Sequence, residues 1–125
     1  MVNEPRLINI LIVDDSEDDR SITRRILEKH NFKVTEACSW MDTLEIIGKG
    51  GVDLVILDMR MPDIGGLELL GIIRKENPKL SLPVIVSSSY DANAIPSSED
   101  ANAFIGKYGD PEDLVKKIKE ILKIT

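Results

Sequence analysis

The 125-residue chain has one cysteine, one histidine, no long apolar run and a deficit of positive charge. The lone Cys38 rules out an intrachain disulfide and fits a reducing compartment. The N-terminus, Met-Val-Asn-Glu-Pro-Arg-Leu, lacks a basic region leading into an apolar core, so no secretory leader is expected. Nothing approaches the roughly 20 apolar residues of a membrane-spanning helix. With 16 Lys and Arg against 22 Asp and Glu, the formal net charge is −6. That argues against nucleic-acid binding, because phosphate backbones demand a basic surface. No Gly-x-x-x-x-Gly-Lys-Ser/Thr run exists, which excludes a P-loop nucleotide enzyme. Apolar residues at 42% and charged residues at 30% describe a folded chain rather than a disordered one. The expectation is a cytoplasmic, soluble chain whose residues 1–125 form one domain.

What is present is an alternation of strand-like and helix-like segments. Asn9–Asp14 carries the apolar run Ile10-Leu11-Ile12-Val13. Ser16 offers a helix N-cap, with Asp19 completing a capping-box pattern and Glu17, Asp18 and Asp19 suiting the positive end of the helix dipole. Ile22, Ile26, Leu27 and His30 make one stripe on that helix, whose Ile and Leu residues read as core, and His30 reads as a C-terminal residue favoured by the dipole. Lys33–Ala37 alternates as an edge strand does. A second helix starts near Ser39, presents Trp40, Leu44 and Ile47, and is closed by Gly48, Gly50 and Gly51. Asp53–Leu57 is the third strand, and a third helix runs from about Leu67 to Glu76, stopping at Asn77-Pro78. Pro83–Val86 is the fourth strand, leading into Ser87-Ser88-Ser89. Pro96 interrupts anything helical between there and the fifth strand, Ala103–Ile105. The last helix opens at Asp110-Pro111 and carries Leu114, Ile118, Ile121 and Leu122 on one face.

Strand character orders the sheet. The first, third and fourth strands are continuously apolar and therefore central; the second and fifth are edges. Right-handed crossovers then favour a doubly wound, five-stranded parallel α/β sheet in the order 2-1-3-4-5. The chain reverses direction between the first and third strands, and ligands of such sheets bind at that switch point, outside the carboxyl ends.

Those two strands end in acid: Asp14 and Asp15 after one, Asp58 after the other. Three converging carboxylates repel one another unless a cation neutralises them. With Ser87 or Ser88, and Lys107, they form the set expected at the edge. Mg²⁺ suits the all-oxygen cluster, and a lysine and a serine opposite a metal would hold phosphoryl oxygens. Phosphoryl transfer needs positioning and charge neutralisation, and a carboxylate can serve as nucleophile by forming an aspartyl-phosphate.

Taken together, Ile12-Val13-Asp14-Asp15-Ser16, Leu57-Asp58-Met59-Arg60-Met61-Pro62 with Gly66 beyond, Pro83-Val84-Ile85-Val86-Ser87-Ser88 and Phe104-Ile105-Gly106-Lys107 resemble the receiver domain of two-component response regulators, of the chemotaxis-regulator type. The resemblance runs in order along nearly the whole chain. It implies a flavodoxin-like fold and a phosphoprotein that takes a phosphoryl group from a histidine kinase or phosphotransfer protein in a phosphorelay. Asp58 would be the phospho-acceptor. Asp14, Asp15 and Asp58 would hold Mg²⁺ with the backbone carbonyl of Arg60, and Lys107 would pair with the phosphoryl group. Ser88 and Phe104 would be the switch pair that alters a face binding a downstream effector protein or domain. Such a module is not an enzyme beyond its own phosphorylation and dephosphorylation, and neither nucleic acid nor membrane is an expected partner.

The chain departs from that pattern in places. Tyr108 stands where the family usually has a proline joined by a cis bond, and a non-proline cis bond costs about 2.5–4 kcal/mol. The stretch between Ser88 and Lys107 is about three residues short of typical members, which implies a shortened, irregular or absent fourth helix. Arg60 and Tyr90 flank the acceptor and are expected to set the lifetime of the aspartyl-phosphate. The alternative is a receiver-like interaction domain acting without phosphorylation. A Mg²⁺-dependent phosphohydrolase is disfavoured, because no second acid stands two residues after Asp58.

Overall fold

The computed structural model describes residues 7–61, 64–79, 81–89 and 99–124. Five strands, β1 (Asn9–Val13), β2 (Lys33–Ala37), β3 (Leu54–Asp58), β4 (Val84–Ser88) and β5 (Ala103–Gly106), form one sheet. All neighbouring strands are parallel and the order is β2-β1-β3-β4-β5, the doubly wound arrangement expected from the sequence. β3 and β4 are buried throughout, whereas β2 and β5 are only partly covered, as edges are. Among the described residues four helices connect and flank the strands: α1 (Glu17–Lys29), α2 (Trp40–Lys49), α3 (Gly66–Glu76) and α4 (Pro111–Leu122). The fourth helix expected before β5 falls on residues 90–98, and with Tyr90 and Pro96 it lies outside the described residues.

The pleat sorts apolar side chains into two cores. Leu11, Val13, Val55, Leu57, Val84 and Val86 point to one face, where Leu69, Leu70 and Ile73 of α3 and Leu44 and Ile47 of α2 meet them. Ile10, Ile12, Leu54, Ile56 and Ile85 point to the other and meet Leu27 of α1 with Leu114, Val115 and Ile118 of α4. Each fully buried Leu or Ile contributes about 1.5–3 kcal/mol of transfer free energy, so either face stripped of its helices would leave the sheet unstable.

Helix ends follow their caps. Ser16 Oγ accepts from Asp19 N, Ser39 Oγ from Asp42 N and Asp110 Oδ1 from Glu112 N. Asn31 and Lys123 take positive φ just past α1 and α4, the left-handed conformation that closes many helices.

One expectation about α1 fails. Ile22 is 56% exposed and joins neither core. It lies one turn before Ile26, at the rim of a cleft of about 440 Å³ between α1 and the β5–α4 loop. Only Leu27 is fully buried on this helix, in the cluster that also holds Leu114, Val115 and Ile118 of α4. No peptide bond among the described residues is cis, so Lys107–Tyr108 is trans.

Candidate functional site

Alternation along the strands decides which side chains meet. Asp58 continues the face of Leu54 and Ile56, Asp14 that of Ile10 and Ile12, and Lys107 that of Ala103 and Ile105. All three therefore emerge on the α1/α4 side of the sheet's carboxyl edge. Backbone bonds hold them there beyond the strand ends: Asp14 N donates to Ala37 O (3.1 Å), Met59 N to Ser87 O (2.8 Å) and Lys107 N to Ser88 O (2.6 Å). Ser88 and Phe104 belong to the opposite face. Phe104 pairs in register with Val86, two residues before Ser88, and packs against the α2/α3 core.

Asp14, Asp15 and Asp58 each offer a carboxylate oxygen within 4.8 Å of the others. Asp14 and Asp58 are buried and Asp15 is exposed. This donor set is all oxygen and strongly anionic, so it fits a hard divalent cation such as Mg²⁺ rather than one that prefers nitrogen or sulfur. Asp58 also borders a cleft of about 510 Å³ with Asp15, Arg60, Ser89 and Lys107. Ser89, not Ser88, lines that cleft; Ser88 is buried beneath it at the end of β4.

Lys107 is the cation that meets the carboxylates of this edge among the described residues. Its ammonium lies 2.9 Å from Asp14 Oδ2, 3.0 Å from Asp19 Oδ2 and 3.1 Å from Asp58 Oδ2, so its three donors face three different carboxylates. Burial acts against its charge, but the three acids outweigh burial and hold the ammonium well above its ordinary pKa. Burial pushes the Asp58 carboxyl up. The Arg60 N–H on Oδ1 (3.3 Å) opposes that, the Asp14 charge reinforces it, and Lys107 opposes it again, leaving the carboxyl raised. Asp14 is tied at both oxygens, accepting from Ser16 N through Oδ1 (2.9 Å) and facing Lys107 through Oδ2. Arg20 Nη1 donates to the Asp14 carbonyl at 2.7 Å while its Nε pairs with Glu36 at 3.2 Å, fixing the turn that carries both acids.

The loop after Asp58 depends on a residue with no side chain. A Cβ on Gly66 would stand 2.5 Å from the Asp58 carbonyl and 2.7 Å from Met59 Cα. That closeness lets Gly66 N donate to Met59 O at 2.8 Å and brings the start of α3 directly against the strand end that bears Asp58.

Two members of the site, Asp19 and Tyr108, are not expected there from the sequence. The capping box is only half made. Ser16 caps Asp19 N, but the Ser16 N–H is taken by Asp14, and the Asp19 carboxylate turns to Lys107 and the Tyr108 hydroxyl (3.2 Å). The one available signal is position: a helix that follows an acid-ended strand begins at the same sheet edge as that acid.

The chain matches the family described as the response regulator receiver domain over residues 10–119. It is 30% identical over 119 residues to the two-component response regulator ORR5 of Oryza sativa subsp. japonica, covering 92% of this chain and 89% of that protein. It is 32% identical over 113 residues to the CAI-1 autoinducer sensor kinase/phosphatase CqsS of Vibrio cholerae, 87% of this chain but only 16% of that protein. The response regulator TrrA of Thermotoga maritima superposes in two structures, at 31% identity in each. In complex with Mg²⁺-BeF the TM-score is 0.82, covering 92% of this chain and 99% of TrrA. In complex with the histidine kinase ThkA it is 0.84, covering 93% and 99%. The chain belongs to the response regulator receiver domain family of two-component signalling.

Proposed function

We propose that this chain is a phospho-accepting receiver: Asp58 takes a phosphoryl group from a histidine kinase or phosphotransfer protein with Mg²⁺ at the acidic cluster. The observation that carries this reading is the shared ammonium of Lys107, held at 3.1 Å from the carboxylate that also borders the open cleft. An Asp58 oxygen forms the new bond to phosphorus, and the bond from phosphorus to the donor's nitrogen breaks with its electron pair leaving on nitrogen. Lys107 stays protonated and meets the negative charge of the transferred oxygens. Mg²⁺, held by Asp14, Asp15, Asp58 and the Arg60 carbonyl, would supply charge neutralisation for the same oxygens. TrrA's complexes with Mg²⁺-BeF and with a histidine kinase support both parts by analogy.

Once phosphorylated, Asp58 presents oxygens toward the end of β4, where Ser88 lies buried. We assign Ser88 and Phe104 as the pair whose rearrangement biases a face for a downstream effector. The chain acts as a switch rather than an enzyme, catalysing at most its own phosphorylation and dephosphorylation.

The test is incubation with Mg²⁺ and acetyl phosphate, followed by intact mass. Wild type is expected to gain one phosphoryl group and Asp58→Asn none. A wild type that gains nothing would favour an interaction domain that works without phosphorylation, and steady turnover of a phosphate ester would favour a hydrolase.

A further inference from the structure

Lys107 has three carboxylate partners, and one of them stands outside the set that fits a metal. Among the described residues the cluster able to share a cation is Asp14, Asp15 and Asp58. Asp19 is absent from it, yet its Oδ2 lies 3.0 Å from the same ammonium. Lys107 already engages two of the three carboxylates that a divalent cation would share, through Asp14 Oδ2 and Asp58 Oδ2. Asp19 offers Lys107 a partner that the metal does not claim.

The local structure is arranged to leave Asp19 available for this. In a complete capping box its side chain would return to the Ser16 N–H. Asp14 occupies that N–H, so the Asp19 carboxylate is released toward the sheet edge. The Tyr108 hydroxyl then donates to Asp19 Oδ2 at 3.2 Å across 89 residues of chain. Tyr108 is 71% exposed, so burial does not explain where its ring sits. The hydroxyl contact ties its tip to the first turn of α1.

We propose that Asp19 is a positioning residue that draws Lys107 toward the first turn of α1, freeing Asp14 and Asp58 for a divalent cation, and that the Tyr108 hydroxyl holds Asp19 in that place. The proposal rests on the reading of the acidic cluster as a Mg²⁺ site.

It is tested on the full chain by calorimetric titration with Mg²⁺ alone, and by ¹⁵N NMR of the lysine ammonium groups in metal-free protein. A partly buried, triply paired ammonium exchanges its protons slowly, so Lys107 is expected to give a resolved signal. Asp19→Asn is expected to broaden that signal and to weaken Mg²⁺ binding about tenfold. Tyr108→Phe, which changes no charge, is expected to act in the same direction by roughly two- to threefold. Asp18→Asn, which removes one charge from an exposed position on the same turn, is expected to change both readouts little, and Asp19→Glu to restore part of the affinity. Equal weakening by Asp19→Asn and Asp18→Asn would reduce the effect to general electrostatics and overturn the proposal. So would an unchanged Lys107 signal in Asp19→Asn. A wild type that binds no Mg²⁺ in the millimolar range would instead contradict the metal reading, and the metal-free ammonium signal would then decide the Asp19–Lys107–Tyr108 arrangement alone.

Discussion

Asp58 carries a charge that its surroundings penalise. Burial raises its carboxyl pKa, with Asp14 adding to the effect and the Arg60 N–H and Lys107 only partly offsetting it. The folded chain therefore holds that proton more tightly than the unfolded chain does. The associated stability is fully present below the unfolded carboxylate value of 3.8 and is lost as pH rises through the raised folded value. Asp58→Asn removes the titration, so in metal-free buffer it is expected to melt above wild type at neutral pH. The two melting curves should converge as pH falls below the ordinary carboxylate range; a difference that does not change with pH would contradict this assignment. Gly66 makes the opposite case, a residue whose lack of a side chain is required. Gly66→Ala forces a methyl group against the Asp58 carbonyl, and a loss of about 1–3 kcal/mol is expected in urea denaturation.

At the scale of elements, the strands were the legible part. An apolar run bounded by acid or serine marks β1, β3 and β4, and their continuous hydrophobicity sets them at the centre of the sheet. Their ends differ from the expected ones by one or two residues: β3 and β4 include Asp58 and Ser88, because each strand's ladder reaches its polar terminal residue. The α1 stripe is only partly core, since spacing shows which residues share a face but not how far other elements cover it; hence exposed Ile22. Asp14, Asp15, Asp58 and Lys107 were legible because strand ends at one edge must converge. Asp19 and Tyr108 were not, because their contact depends on a capping N–H being taken by another residue.

Arg74 was equally hidden. From α3 it donates to the carbonyls of Asn77 (2.9 Å), Leu82 (2.6 Å) and Asp100 (2.7 Å) and to Asn102 Oδ1 (3.0 Å), while Asn102 Oδ1 also accepts from Val84 N. One guanidinium thus joins the end of α3, the start of β4 and the approach to β5. Arg74→Met leaves those acceptors without their donor, and a destabilisation of about 2–3 kcal/mol is expected by chemical denaturation. Amide hydrogen exchange should quicken at residues 100–102. Arg74→Lys should recover only part of the loss, since an ammonium cannot reproduce the planar fork.

For the molecule as a whole, the net charge is −6, and three of its carboxylates, Asp14, Asp15 and Asp58, meet at one sheet edge. A cation bound there stabilises only the folded chain, because only folding assembles the three carboxylates. Mg²⁺ at a hundredfold over its dissociation constant is expected to add about 2.7 kcal/mol to the unfolding free energy. Asp15→Asn, an exposed substitution that spares both cores, should remove most of that gain; a wild-type melting temperature indifferent to Mg²⁺ would count against the site.

We propose that Asp58 is the acceptor and that its chemistry needs the cation. Peptide-level mass spectrometry of the acetyl phosphate reaction, run with Mg²⁺ and again with EDTA, tests both at once. The expected result is a phosphoryl group on the peptide containing Asp58, present with Mg²⁺ and absent with EDTA. Modification at another residue, or equal modification in EDTA, would contradict the account.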